Sequence, residues 1–145
     1  REEMRGVVVF LSALFSLLIS SGASPILGGW QQLDVNSPEL LRKVSRGVQQ
    51  FNEKLDHDNY IVPIKLVNAS SQVVAGVNYH FVVLVKSCSH TRTAVKAEDV
   101  AKGNCAPPAT ARRAFYSFDL FEQAWKNFSQ YSFKKINDVA PGHDS

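Results

Sequence analysis

The chain has 145 residues, 45% of them hydrophobic, and a formal net charge of +3. This length reads as one domain, and the apolar content excludes a disordered chain. The basic residues are scattered rather than clustered and no nucleic-acid motif accompanies them, so no nucleic-acid partner is expected.

Residues 1–23 read as a secretory signal peptide. Arg5 precedes an apolar run from Val7 to Ile19, broken only by Ser12 and Ser16, and the small residues Ser21-Gly22-Ala23 follow. The run is short for a membrane span of about 20 residues, so cleavage after Ala23 and secretion are expected rather than a membrane anchor. Arg1-Glu2-Glu3 read as sequence upstream of a start at Met4, which leaves residues 24–145 as the folded domain. An extracellular chain with two cysteines, Cys88 and Cys105, is expected to carry one disulfide. His80 and His90 lie near Cys88, but no Asn or Asp stands out to complete a catalytic triad, and oxidation removes the thiol.

Ser24-Pro25-Ile26-Leu27-Gly28-Gly29 reads as a flexible arm carrying two large apolar side chains, because paired glycines do not seed regular structure. Trp30 to Val35 reads as a short strand. Asn36-Ser37-Pro38-Glu39 then gives a helix start, with a capping residue, Pro in the first turn and Glu39 three after Asn36. Leu40, Leu41, Val44, Val48, Phe51 and Leu55 recur at helical spacing and form one apolar stripe, which is expected to lie on a sheet. Asp56-His57-Asp58-Asn59 ends the helix. Adjacent residues seldom converge on one ion and no further ligand cluster exists, so this is read as a solvated turn, with no metal and no cofactor.

Tyr60 to Ser70 is strand-like, with Tyr60, Val62, Ile64 and Leu66 assigned to one face and a bulge expected at Pro63. Gln72-Val73-Val74-Ala75-Gly76 is a short apolar loop. Gly76 permits a turn before Val77, Tyr79, Phe81, Val83 and Val85 alternate along the next strand, where Val82 and Leu84 suggest cover on both faces. Ser89 to Pro108 reads as a long loop held by the cysteines, with a helical turn placed over Ala97 to Ala101. Ala114, Tyr116, Phe118 and Leu120 then alternate in a half-buried strand. Gln123-Ala124-Trp125-Lys126-Asn127 is the next turn, and Phe128 to Ile136 the last strand. Asn68-Ala69-Ser70 and Asn127-Phe128-Ser129 are N-glycosylation sequons in a secreted chain.

Gln-x-Val-x-Gly at Gln72 to Gly76, followed by Val77-Asn78-Tyr79, resembles the first inhibitory hairpin of the cystatins, inhibitors of papain-like cysteine proteases such as the cathepsins. Gly28-Gly29 and Trp125 stand where that family places its other two binding pieces. The resemblance covers Leu27 to Ile136 and implies an α+β fold, an antiparallel β-sheet meander wrapped across one long α-helix. It also implies a reversible, tight-binding inhibitor rather than an enzyme. The implied contacts are Ile26, Leu27, Gly28 and Gly29 of the arm, Gln72, Val73, Val74, Ala75 and Gly76 of the first hairpin, and Ala124 and Trp125 of the second. A bulky residue at Gly76 is expected to obstruct docking while leaving the fold intact.

Three features depart from the family pattern. Tyr116 stands where secreted cystatins place a third cysteine, so one disulfide is expected instead of two. The Cys88–Cys105 loop is longer than usual, and Ala124 replaces the proline before the tryptophan. The position from which some cystatins present an Asn to legumain falls on Asp56. A monomer is expected, with a domain-swapped dimer as the alternative. The rival reading is a non-inhibitory carrier or precursor domain of cathelin type, with a surface-anchored protein third.

Overall fold

A computed structural model describes residues 28–54, 59–91 (the backbone alone for 89–91), 100, 105, 107 and 110–140. The elements run β1 (Trp30–Gln32), α1 (Pro38–Lys54), β2 (Asn59–Val74), β3 (Gly76–Thr91), β4 (Arg113–Gln123) and β5 (Phe128–Val139). Every pairing is antiparallel, and the five strands lie in the order β1-β2-β3-β4-β5 with α1 across one face. The expected meander around one helix is therefore the architecture. The signal-peptide segment, Ile26, Leu27, Leu55, Asp56, His57, Asp58 and Ala97 fall outside the described residues, as does Ala101.

The helix begins one residue later than the Asn36 frame implies. Ser37 accepts the first intrahelical bond from Leu41 N–H, and Pro38 takes the first helical position, where its missing N–H costs nothing. Asp34 folds the entry turn, its carboxylate accepting from Asn36 N–H at 2.9 Å. For the same reason β1 stops at Gln32 and not Val35: Leu33 still donates to Ala69 O, and the turn follows at once.

Leu40, Val44, Val48 and Phe51 are buried and form the helix side of the core. Leu41 is 43% exposed and does not belong to the stripe. Two residues that hydropathy passes over complete the face. Gly47 lets Tyr131 approach, since a Cβ there would lie 3.0 Å from the ring. Asn52 is 4% exposed and clamps β2, its Nδ2 donating to Ile61 O and its Oδ1 accepting from Ile61 N–H.

That clamp sits at an irregularity. Register shifts between Asn59 and Ile61, Pro63 and Lys65, and Leu66 and Asn68 break the alternation of β2. The expected single face of Tyr60, Val62, Ile64 and Leu66 is accordingly divided: Tyr60, Ile61 and Leu66 are buried, while Ile64 is 46% exposed. The expected bulge beside Pro63 is present. In β3 and β4 the alternation holds, and Phe81, Val83, Phe118 and Leu120 form the fully buried centre. Val82 and Leu84 on the other face are half-buried.

Cys88 and Cys105 are bonded, with their Cα atoms 5.9 Å apart, so neither offers a thiol. They form a second small core with Tyr60 and Val100. The chain leaves its strand later than the composition shift suggests, because β3 pairs on to Thr91, opposite Asn59. Tyr116 packs edge-on against Phe51 at 5.2 Å, joining β4 to the helix by aromatic contact.

Tyr131 gives the fold an alkaline limit. Its hydroxyl donates to Lys43 O at 2.9 Å, and burial raises its pKa to about 12. An unfolded tyrosine loses its proton near pH 10. Stability is therefore expected to be fully present below about pH 10 and to fall as pH rises toward 12, as the unfolded phenol ionises first. Denaturant titrations across that range should show a shallower decline in Tyr131→Phe. Burial also raises Tyr79 and Tyr116, so some slope should remain.

Candidate functional site

At one end of the sheet residues 28–30, the β2–β3 turn and the β4–β5 turn come together. Trp30 pairs with Gln72, which places Gly28 and Gly29 beside the first hairpin. Gln72 Nε2 donates to Gly28 O at 2.6 Å and fixes where the arm leaves. The first hairpin stays paired up to Val74 and Gly76, so Ala75 alone forms its tip. Gln123, the last residue of β4, donates through Nε2 to Ala75 O at 2.7 Å and fastens the second turn to the first.

Gly76 has φ +135°, in the range that L side chains rarely adopt. A Cβ there would lie 2.5 Å from Glu122 O and 2.7 Å from a ring carbon of Phe121. A side chain here is thus expected to cost stability as well as docking, because it would meet the β4 backbone before any partner approaches.

The second turn is a single 3-10 turn, Ala124–Lys126, closed by Asn127 in the left-handed conformation with its N–H donating to Ala124 O. Phe121 and Phe128 meet edge-on across its base at 6.3 Å. Behind it, Glu122 turns inward and both of its oxygens accept from Lys43 Nζ, at 2.8 and 2.7 Å. The pair is mostly shielded from solvent and ties α1 to the root of the turn. Lys43 also lies over the Tyr79 ring at 4.9 Å.

The resulting edge exposes large apolar side chains: Trp30 at 55%, Val73 at 51%, Val74 at 46%, Trp125 at 67% and Phe128 at 45%. Val73, Val74 and Trp125 belong to the cystatin pattern, whereas Trp30 and Phe128 do not. Within residues 28–30, 72–77 and 123–128 the only charged side chain is Lys126. An exposed apolar edge of this kind has the surface chemistry of docking. Among the described residues no group of three or more His, Cys, Asp or Glu stands together, and no helix is long and apolar enough to cross a membrane.

Residues 28–137 match the family model of the cystatin domain. The chain belongs to the cystatin family. Cystatin cpi-1 of Caenorhabditis elegans is 35% identical over 134 residues, which span 92% of this chain and 95% of that one. Onchocystatin of Onchocerca volvulus is 30% identical over 114 residues, 79% of this chain and 69% of that one. The solved structure of Al-CPI superposes with a TM-score of 0.67 at 24% identity, covering 77% of this chain and all of that one, and shares the fold. Membership goes with cysteine-protease inhibition in general, and the three pieces that the cystatin resemblance assigns to binding are the pieces that the two glutamine bonds hold together.

In this cystatin the residue before Trp125 is Ala124, which leaves the turn less restricted than a proline would, and Gln123 is the tether that remains. Gln123→Ala is expected to weaken inhibition of papain by about three- to tenfold, near 1 kcal/mol, with little change in unfolding midpoint. Adding Ala124→Pro should recover most of that loss. In a Trp125→Ala background the Gln123 substitution should cost nothing further. A full cost there would show that Gln123 does not act by placing Trp125.

Proposed function

We propose that this chain is a secreted, reversible, tight-binding inhibitor of papain-like, cathepsin-type cysteine proteases, and not an enzyme. The observation that carries the reading is the joining of Gly28, Ala75 and Gln123 by side-chain hydrogen bonds into one edge that carries a single charge, Lys126, with its large apolar groups facing solvent. Residues 1–23 would direct export and be removed, leaving Ser24 as the start of the inhibitor.

The energetics fix what the edge needs. Its five large side chains are already about half covered, so docking gains roughly 1 kcal/mol from each. Association costs about 4–15 kcal/mol, so these residues alone reach only the lower part of that range. Tight binding therefore calls on Ile26 and Leu27 of the arm as further anchors, with Gly28 and Gly29 bending the backbone away from the protease thiol. The edge is preorganised, and ordering costs are confined to the arm. No peptide carbonyl is presented to the thiolate, so the inhibitor is not consumed. Asp56, standing where an Asn serves legumain, argues against a second inhibitory activity.

The test is titration of papain with the refolded chain beginning at Ser24. Stoichiometric loss of activity is the expected result. Undiminished activity at molar excess of a folded chain would favour the carrier or precursor reading.

A further inference from the structure

We propose that Asn127 is an N-glycosylation site whose glycan masks the docking edge, so that occupancy of one side chain sets the inhibitory strength of the secreted protein. The masking rests on the inhibitory reading above. Asn127-Phe128-Ser129 is a sequon, and all three residues are exposed. Asn127 closes the second turn at φ 48°, a conformation that Asn tolerates better than other side-chain-bearing residues. Trp125, the most exposed of the edge's apolar side chains at 67%, is two residues away.

The modification needs a co-reactant of stated class, an oligosaccharide carried on a polyprenyl diphosphate in the secretory pathway. A bond forms between Asn127 Nδ2 and the anomeric carbon of the first sugar. The carbon–oxygen bond to the diphosphate breaks, the amide nitrogen gives up one proton, and the lipid diphosphate leaves. Folding then presents the glycan on the turn, where a bulky hydrated chain and the walls of a cleft compete for the same space.

The other sequon has a different consequence. Asn68 lies in β2 opposite Val82, with its Oδ1 accepting from Gln32 Nε2 at 2.9 Å. It is seven residues from the tip at Ala75, about 23 Å along an extended strand. A glycan there stands back from the edge. One sequon tunes binding and the other leaves it unchanged.

The experiment is expression of the full chain in a glycosylating eukaryotic host, peptide mapping of both sites, separation of glycoforms and titration of papain with each. Four further samples are needed: the occupied form after enzymatic glycan removal, Asn127→Gln, Ser129→Ala and Asn68→Gln. Occupancy at Asn127 is expected, with inhibition at least about tenfold weaker in the occupied form and restored by glycan removal or by either Asn127 or Ser129 substitution. Asn68→Gln should change nothing. Absence of glycan from Asn127 in the secreted chain, or equal inhibition by a fully occupied form, would overturn the proposal alone. Failure of the unglycosylated Ser129→Ala chain to inhibit would overturn the inhibitory reading itself, and masking with it.

Discussion

Trp125→Ala is expected to weaken inhibition of a papain-like protease by roughly 30- to 1000-fold, about 2–4 kcal/mol, without moving the unfolding midpoint. The two halves of this expectation have separate causes. In the free protein the side chain is 67% exposed on a 3-10 turn, and it belongs to neither apolar core. Truncating it removes little packing, so stability should stay within about 0.5 kcal/mol. In the proposed complex it would be the largest apolar group the second hairpin offers, and a buried aromatic anchor is the kind of residue that dominates an interface. Val73 and Val74 are smaller and adjacent, so each can cover partly for the other. Inhibition constants paired with urea unfolding of the same preparation check the claim. A loss of less than about threefold would mean that the second turn does not enter the cleft.

The fold was legible where local periodicity and burial agree. Leu40, Val44, Val48 and Phe51 mark the helix face, and Phe81, Val83, Phe118 and Leu120 mark the sheet face, because each repeats at the period of its own element. It was not legible where a tertiary contact decides. Asn52 is polar, and only its two bonds to the backbone of Ile61 explain why it is buried. Gly47 weakens a helix by propensity, and only the Tyr131 ring explains its place. Leu41 has the right hydropathy on the wrong side of the stripe. The shifts in β2 turn Ile64 outward, and Pro63 signals one of the three but says nothing of the other two.

The site divides in the same way. Gln72 to Gly76 and Trp125 are short local patterns, and a resemblance carried by local patterns finds them. The bonds that make an edge of them join residues 44 and 48 positions apart, and no local spacing encodes those. Phe128 and Trp30 look like ordinary strand residues until the pairing of β4 with β5 and of β1 with β2 sets them beside the tips. Lys43 reads as a solvated helix cation, yet it holds Glu122 at the root of the second turn. Family patterns name the residues expected to make contact. The residues that aim them emerge only from the fold.

Gly76→Ala is the substitution with the largest expected effect, because one methyl group meets two obstacles of different kinds. The added Cβ lies 2.5 Å from Glu122 O and 2.7 Å from the edge of the Phe121 ring. A ring can rotate aside. A carbonyl fixed by the pairing of Val77 with Glu122 moves only if β3 and β4 separate. To this is added the strain of a side chain at φ +135°. Strain and overpacking are each worth about 1–3 kcal/mol, so a loss of roughly 2–6 kcal/mol is expected. Against a total of about 5–15 kcal/mol this leaves many molecules folded but with the tip displaced, and inhibition should fall further than stability does. Denaturant unfolding of Gly76→Ala, set beside its inhibition of papain, tests the sum. The double variant Gly76→Ala/Phe121→Ala tests the cause: with the ring gone the carbonyl is still in the way, so neither stability nor inhibition should return. Recovery in the double variant would show that Phe121, not the backbone of β4, is what demands a glycine at the tip.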